Sequence, residues 1–165
     1  MEQQTHVVNE RLKRIEPVSK KCSFCLDGTS GSMSDNYFVP VFKENDRTNI
    51  IVYRSVKYQK IDVGIPRCQN CKTIHQKAKT KAMIISLTAA LAIFAFMIYN
   101  FLDFHAVVSV ALIFASALTG FGGYVYLQGV FARKAGIYAL KDGAEGDPLV
   151  QDLLMQGWSL KQPSA

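Results

Sequence analysis

Residues 65–102 read IPRCQNCKTIHQKAKTKAMIISLTAALAIFAFMIYNFL, and this stretch decides the fold. It passes from a Cys-x-x-Cys pair through a run of lysines into an apolar segment, 83–102, that carries no charge. Crossing the hydrocarbon core of a bilayer takes roughly 20 apolar helical residues, which this segment supplies. A second and longer uncharged run, 106–131, follows after Asp103, Phe104 and His105 alone. So short a connection makes the two runs antiparallel neighbours, because backbone inside lipid must satisfy its own hydrogen bonds. The pattern predicts a transmembrane hairpin over 76–134, with spans at about 83–102 and 106–131. The competing reading is a pair of buried helices in a soluble protein, but a soluble domain this small would not cover both.

Outward from the hairpin, charge is partitioned. The chain has 165 residues and a net charge of +6, room for one compact domain plus membrane segments. Residues 1–82 are polar and charged, whereas 83–132 carry almost no charge. No Asp or Glu falls between Val63 and Leu102, yet Arg67, Lys72, Lys77, Lys79 and Lys81 all do, and Arg133 and Lys134 follow the second run. Lys72, Lys77, Lys79, Lys81, Arg133 and Lys134 are therefore expected to meet anionic lipid headgroups, at about 1 kcal/mol per basic residue. Nucleic acid is the competing partner for a basic patch. It is set aside because positions next to a span are claimed by topology first. The tip between the runs has no Lys or Arg, so the positive-inside rule places both termini in the cytoplasm. Residues 1–21 lack the apolar core of a signal peptide, and no lipidation motif is present.

The second run carries a pattern of its own. Ala111, Ala115, Thr119 and Gly123 recur at every fourth position, with Ser116 and Gly120 beside them. Such a ridge of small side chains lets helix backbones approach closely. It predicts packing either on the first span of the same chain or between copies, as in a ring or pore. Gly120, Gly122, Gly123 and Gly129 make this helix prone to bending. Asn100, Asp103 and His105 read as an interfacial polar cap rather than a proton relay.

Cys22-x-x-Cys25 and Cys68-x-x-Cys71 are two ligand pairs at the spacing of a closed zinc site with four cysteine ligands. A cytoplasmic setting favours metal over disulfides, although a redox dithiol or an iron-sulfur cluster uses the same residues. Four thiolates fill the zinc shell, so structural Zn2+ with no open position is expected. The spacer from Cys25 to Cys68 is longer than that of short ribbons and reads as strands. Residues 37–42 are aromatic and β-branched, with Pro40 marking an edge. Glu44-Asn45-Asp46 is a turn signal. In 49–63 the apolar residues at 56 and 58, then 61 and 63, change phase, which predicts a bulge or break. A three-stranded antiparallel sheet stapled by zinc over 22–75 follows, since so small a core needs the metal. His75, one helical turn after Cys71, is expected at the surface or facing headgroups rather than as a ligand. From about Thr73 the chain is expected to turn helical and run into the first span.

The two ends read differently. Residues 1–21 are expected to be a mobile segment, with Val8, Leu12 and Ile15 at the spacing of a short amphipathic helix ending before Pro17. Residues 28–34 read as a flexible loop. Residues 135–165 form a cytoplasmic tail in which the preceding helix runs to about Leu140 and 141–146 is a polar break. Asp147 and Pro148 then give an N-cap and a first-turn proline. Leu149, Val150, Leu153 and Leu154 make an apolar face over a helix at 148–156, and Gly157 suits the stop after it. That face and Trp158 must be covered by the ribbon, by headgroups or by a partner.

The segment Ile65-Pro66-Arg67-Cys68-Gln69-Asn70-Cys71 with His75 resembles a recurring pattern, IPRCxxC with a following histidine, of small bacterial membrane proteins. In that group it lies between a β-rich insert and a two-helix hairpin. The closing Pro148, Leu153-Leu154, Gly157-Trp158 and Pro163 resemble the tail of the same proteins, so the likeness covers residues 22–163. It departs from commoner ribbons at Leu26 and Asp27, where a glycine often follows the second cysteine. The resemblance implies an α+β membrane protein of the bacterial inner membrane and brings no activity with it. No catalytic constellation is legible: His6, His75 and His105 are scattered, and no phosphate-binding loop occurs. The expected function is therefore not enzymatic. It is a membrane-anchored zinc-ribbon module that binds an unknown protein partner at the cytoplasmic face, or, alternatively, a homo-oligomeric pore or effector assembled through the second span.

Overall fold

The structure is a computed structural model that describes residues 6–25, 27–50, 53–100 and 106–164. The chain is mixed α+β and divides into two compact units, Met1–Lys72 with Leu140–Ala165, and Thr73–Ala139.

The first unit is built on a four-stranded sheet in the order β1-β2-β4-β3. The strands are β1 (His6–Asn9), β2 (Arg14–Pro17), β3 (Tyr37–Ile50) and β4 (Tyr53–Ile65). The first two correct the expectation of a short amphipathic helix in the N-terminal segment. Val8 and Ile15, which share a face at helical spacing, instead pair directly across an antiparallel hairpin. The turn closes through Lys13, whose φ is +49° and whose amide donates to the Glu10 carbonyl at 3.3 Å. The β-branched Val7, Val8 and Ile15 fit a pleated surface better than a helix. The hairpin joins the sheet by two parallel pairs, Arg14 with Asp62 and Ile15 with Val63, which adds a fourth strand and a parallel step to the expected antiparallel sheet.

Strands β3 and β4, 14 and 13 residues long, pair antiparallel along their whole length. The turn expected at 44–46 is a β-bulge: Glu44 faces Tyr58, Asp46 faces Lys57, and Asn45 is left over. Arg47 holds Glu44 across it at 2.8 Å. The irregularity expected in β4 thus falls on the partner strand, opposite residues 57 and 58. Pro40 lies on β3, at the edge of the sheet, where a missing amide costs no ladder bond. Val39 and Val41 share a face with Val63 and Ile65, and all four are buried.

Two short helices complete this unit. Residues expected as a polar break form α3 (Leu140–Glu145), and α4 (Pro148–Met155) follows where the sequence places it. The ring of Phe24 lies on Gly143 so closely that a side chain there has no room. In α4, the Asp147 carboxylate accepts from the Leu149 and Val150 amides, and Pro148 takes the first turn. Gly157, at φ +86°, ends it: its amide donates to Leu154 and that of Trp158 to Leu153. Ser159 then exchanges two backbone hydrogen bonds with Phe42, at 2.7 and 2.8 Å, and Gln162 donates to the Tyr58 hydroxyl. The tail therefore docks on its own sheet and caps part of the open edge of β3.

The second unit is a pair of long helices, α1 (Gln69–Tyr99) and α2 (Ala106–Lys134). The residues joining them, among them Asp103, Phe104 and His105, lie outside the described residues. Ser116 donates to the Ala90 carbonyl at 3.1 Å, Gly120 faces Ala90 and Gly123 faces Ser86, so the helices run antiparallel. Small residues make this seam, as the ridge predicts, but it is rotated. Ala115 and Thr119 are half-buried beside it, with the Thr119 hydroxyl turned back to the Ala115 carbonyl, and Ala111 is exposed. His75 is 6% exposed and its Nε2 lies 3.0 Å from the Tyr138 carbonyl oxygen. It is thus a buried packing group rather than the surface residue expected.

Candidate metal centre

The two cysteine pairs are presented by different devices. Cys22 and Cys25 sit on a tight loop between residues 21 and 29, which pair as an isolated bridge. The Cys22 amide donates to the Gly28 carbonyl at 2.8 Å and the Asp27 amide to the Cys25 carbonyl at 2.8 Å, folding the loop around its sulfurs. Cys68 and Cys71 lie on no such loop. Strand β4 ends at Ile65, and α1 begins at Gln69, a turn earlier than expected, so Cys71 is inside its first turn. Cys68 caps that helix: its carbonyl accepts from Lys72 at 3.0 Å and its Sγ from the Cys71 amide at 3.4 Å. The sulfur in the cap position thus satisfies one of the first-turn amides that have no partner within the helix. The Ser23 amide donates to the Pro66 carbonyl at 2.9 Å and ties the two presenting segments together.

The four Sγ atoms lie within 4.8 Å of one another, and no disulfide joins them. Cys22 to Cys71 and Cys25 to Cys68 are each 3.8 Å apart. Four sulfurs bound about 2.3 Å from one tetrahedral ion are separated by about 3.8 Å. The cluster is therefore compatible with a metal site of four thiolate ligands. Three of the residues are buried and Cys25 is half-buried.

Backbone amides furnish the surrounding polarity. Cys22 Sγ accepts from Cys68 at 3.3 Å and from Phe24 at 3.4 Å. Burial pushes the Cys22 thiol up, but these amide bonds outweigh it and bring it down to about 7. Burial raises Cys25 and Cys71, and the neighbouring sulfurs push Cys71 further in the same direction. Gly28 closes the site from one side: a Cβ there would lie 2.8 Å from Cys68 Sγ and 3.1 Å from Cys25 Sγ. The sequence marks it only as the start of a flexible loop. Its necessity comes chiefly from Cys68, on a distant part of the chain.

Two basic residues of the stretch without carboxylates, Arg67 and the headgroup candidate Lys72, are turned to this unit. Arg67 donates through Nε to the Asp35 carbonyl at 2.9 Å and stacks 5.7 Å over the Tyr37 ring. Burial lowers its pKa, and the charges of Tyr37, Asp35, Cys71 and Cys22 oppose that shift. Lys72 corrects the headgroup expectation: its Nζ is 3.0 Å from an Asp35 carboxylate oxygen and 3.0 Å from the Ser34 carbonyl. Lys77, Lys79, Lys81, Arg133 and Lys134 are exposed on their helices.

The helices themselves carry the second functional signal. Both are long and apolar enough to cross a membrane, and in their most apolar windows only 22% and 6% is covered by the rest of the chain. Phe96, Phe114, Leu118, Phe121 and Tyr126 are all more than half exposed. Comparison with protein-family models, with curated proteins and with solved structures finds no match to this chain.

Proposed function

We propose that this chain is a two-span membrane protein whose four cysteines hold one structural Zn2+ and whose metal-stapled unit binds a protein partner at the cytoplasmic face. The observation that carries the reading is the closed four-sulfur cluster in a chain that also bears two exposed apolar helices. Four cysteine ligands fill a tetrahedral shell and leave no position for water or substrate, so the metal's role is to hold the fold. Zinc is preferred because all-sulfur tetrahedral sites suit it and because a closed site has no use for redox change. Helices apolar on every side and uncovered by their own chain are soluble only in lipid. Exposed Lys77, Lys79, Lys81, Arg133 and Lys134 cluster at one end of this pair, which argues for that end at the cytoplasmic surface, as in a bacterial inner membrane.

The alternative, a homo-oligomeric pore, rests on the small-residue ridge of α2. Gly120 and Gly123 lie against α1 of the same chain, which supports the monomeric module instead. Native mass spectrometry of the protein in a membrane mimic tests both. One zinc per chain in a monomer or dimer is expected. A closed ring of higher order would favour the pore, and intact folded protein without metal would remove the basis of both readings.

A further inference from the structure

Between the two long helices lies an open apolar groove of about 560 Å³. Its lining combines small residues, Ala90, Ala117 and Gly120, with large apolar ones, Leu87, Phe94 and Phe121. At one end it stops at Met83. Helix α1 continues without interruption past that point, so Lys79 is on the same face one turn beyond the groove. Side chains on a helix lean toward its N-terminus, which aims the Lys79 ammonium away from the apolar walls and toward the polar layer. Lys72 is paired with Asp35, Lys60 with Asp62 and Lys141 with Glu145, whereas Lys77, Lys79 and Lys81 form a cationic cluster with no such ion pair among the described residues, and of the three Lys79 is the one in line with Met83. No acidic residue occurs in the sequence from 63 to 102. An apolar slot that ends beneath an uncompensated cation is complementary to a molecule with an apolar chain and an anionic head.

We propose that this groove seats one anionic phospholipid, with an acyl chain along Ala90, Ala117 and Gly120 and its phosphate on Lys79. The inference rests on the membrane reading above and deepens it from a general attraction to one defined site. Chain and head bind different residues, so they are separable by mutation. Ala117 is exposed in the groove, away from the seam with α1, so Ala117→Phe fills the slot without separating the helices. Lys79→Gln removes the cation and leaves the slot.

The test is native mass spectrometry of full-length protein offered phosphatidylglycerol or phosphatidylcholine of matched chains, after an alkaline wash of the source membranes. The unsubstituted protein is expected to retain one phosphatidylglycerol per chain, with about a five-fold preference over phosphatidylcholine, as one basic residue provides. Ala117→Phe should lose both lipids while keeping its metal content, and Lys79→Gln should keep lipid but lose the preference. Equal retention of the two lipids, or retention unchanged by Ala117→Phe, overturns the proposal. So does a dimer that excludes lipid, because the groove would then hold a second copy. Release of the protein by the alkaline wash would instead overturn the membrane reading on which the site depends.

Discussion

The sheet unit and the helix pair solve the same problem in opposite ways. Neither has enough apolar interior to close a large core on its own. The sheet unit gathers Phe24, Val41, Val63, Ile65 and Val150 inside and sets four cysteines among them, so its stability is concentrated at a few irreplaceable contacts. The helix unit keeps mostly small residues inside, with His75, Met97 and Ile137 the larger exceptions, and turns most of its Phe, Leu, Ile and Tyr outward, so its stability is delegated to whatever surrounds it. The first unit should therefore be sensitive to single residues and to metal, and the second to solvent.

Metal removal should give the largest effect. Structural zinc contributes about 10–16 kcal/mol in small metal-stapled domains, against total stabilities of about 5–15 kcal/mol. Chelation or Cys68→Ser is expected to unfold the sheet unit while α1 and α2 stay helical. Hydrogen exchange read segment by segment checks this: loss of protection should be confined to residues 6–72 and 140–164. Native protection in metal-free protein would break the contrast between the units. Next, Phe24→Ala should cost about 3–5 kcal/mol, because the fully buried ring packs on both Tyr37 and Gly143. Chemical denaturation monitored by Trp158 fluorescence would show it, and a cost below about 1 kcal/mol would mean that α3 does not hold the loop that carries Cys22 and Cys25.

Asp147→Ala removes the carboxylate that caps α4 and should cost about 1 kcal/mol. Its sharper signature is local, as faster exchange at the Leu149 and Val150 amides. The smallest effect belongs to the helix pair. Leu118 is 71% exposed, and Leu118→Ala should change thermal stability in a membrane mimic by less than about 0.5 kcal/mol. A large loss there would show that Leu118 is covered by protein, and would revive the oligomeric reading.

What could be read in advance followed the range of each signal. The apolar runs, the cysteine spacing and the Asp147-Pro148 start of α4 with its Gly157 stop are encoded within a few neighbouring residues, and each appears where expected. The N-terminal hairpin did not announce itself, because strands as short as β1 and β2 display too little alternation. Val8, Leu12 and Ile15 happened to fit the helical period as well. Glu44-Asn45-Asp46 carries turn residues, yet the long pairing of β3 with β4 outweighs that preference and turns it into a bulge.

By itself, then, the sequence determined that four sulfurs would come in two ligand pairs and that two helices would be long and apolar enough to cross a membrane. Both are properties of composition and short spacing, which hold in any conformation of the rest of the chain. Only the tertiary structure decided that Cys68 caps a helix, that Gly28 must lack a side chain, that Lys72 turns to Asp35, and that Ser159 seals the edge at Phe42. Each of these joins residues far apart in the chain, except the cap, which depends on where β4 ends. Long-range pairing is set by which surfaces can be buried together, and that is a property of the folded chain rather than of any segment of it.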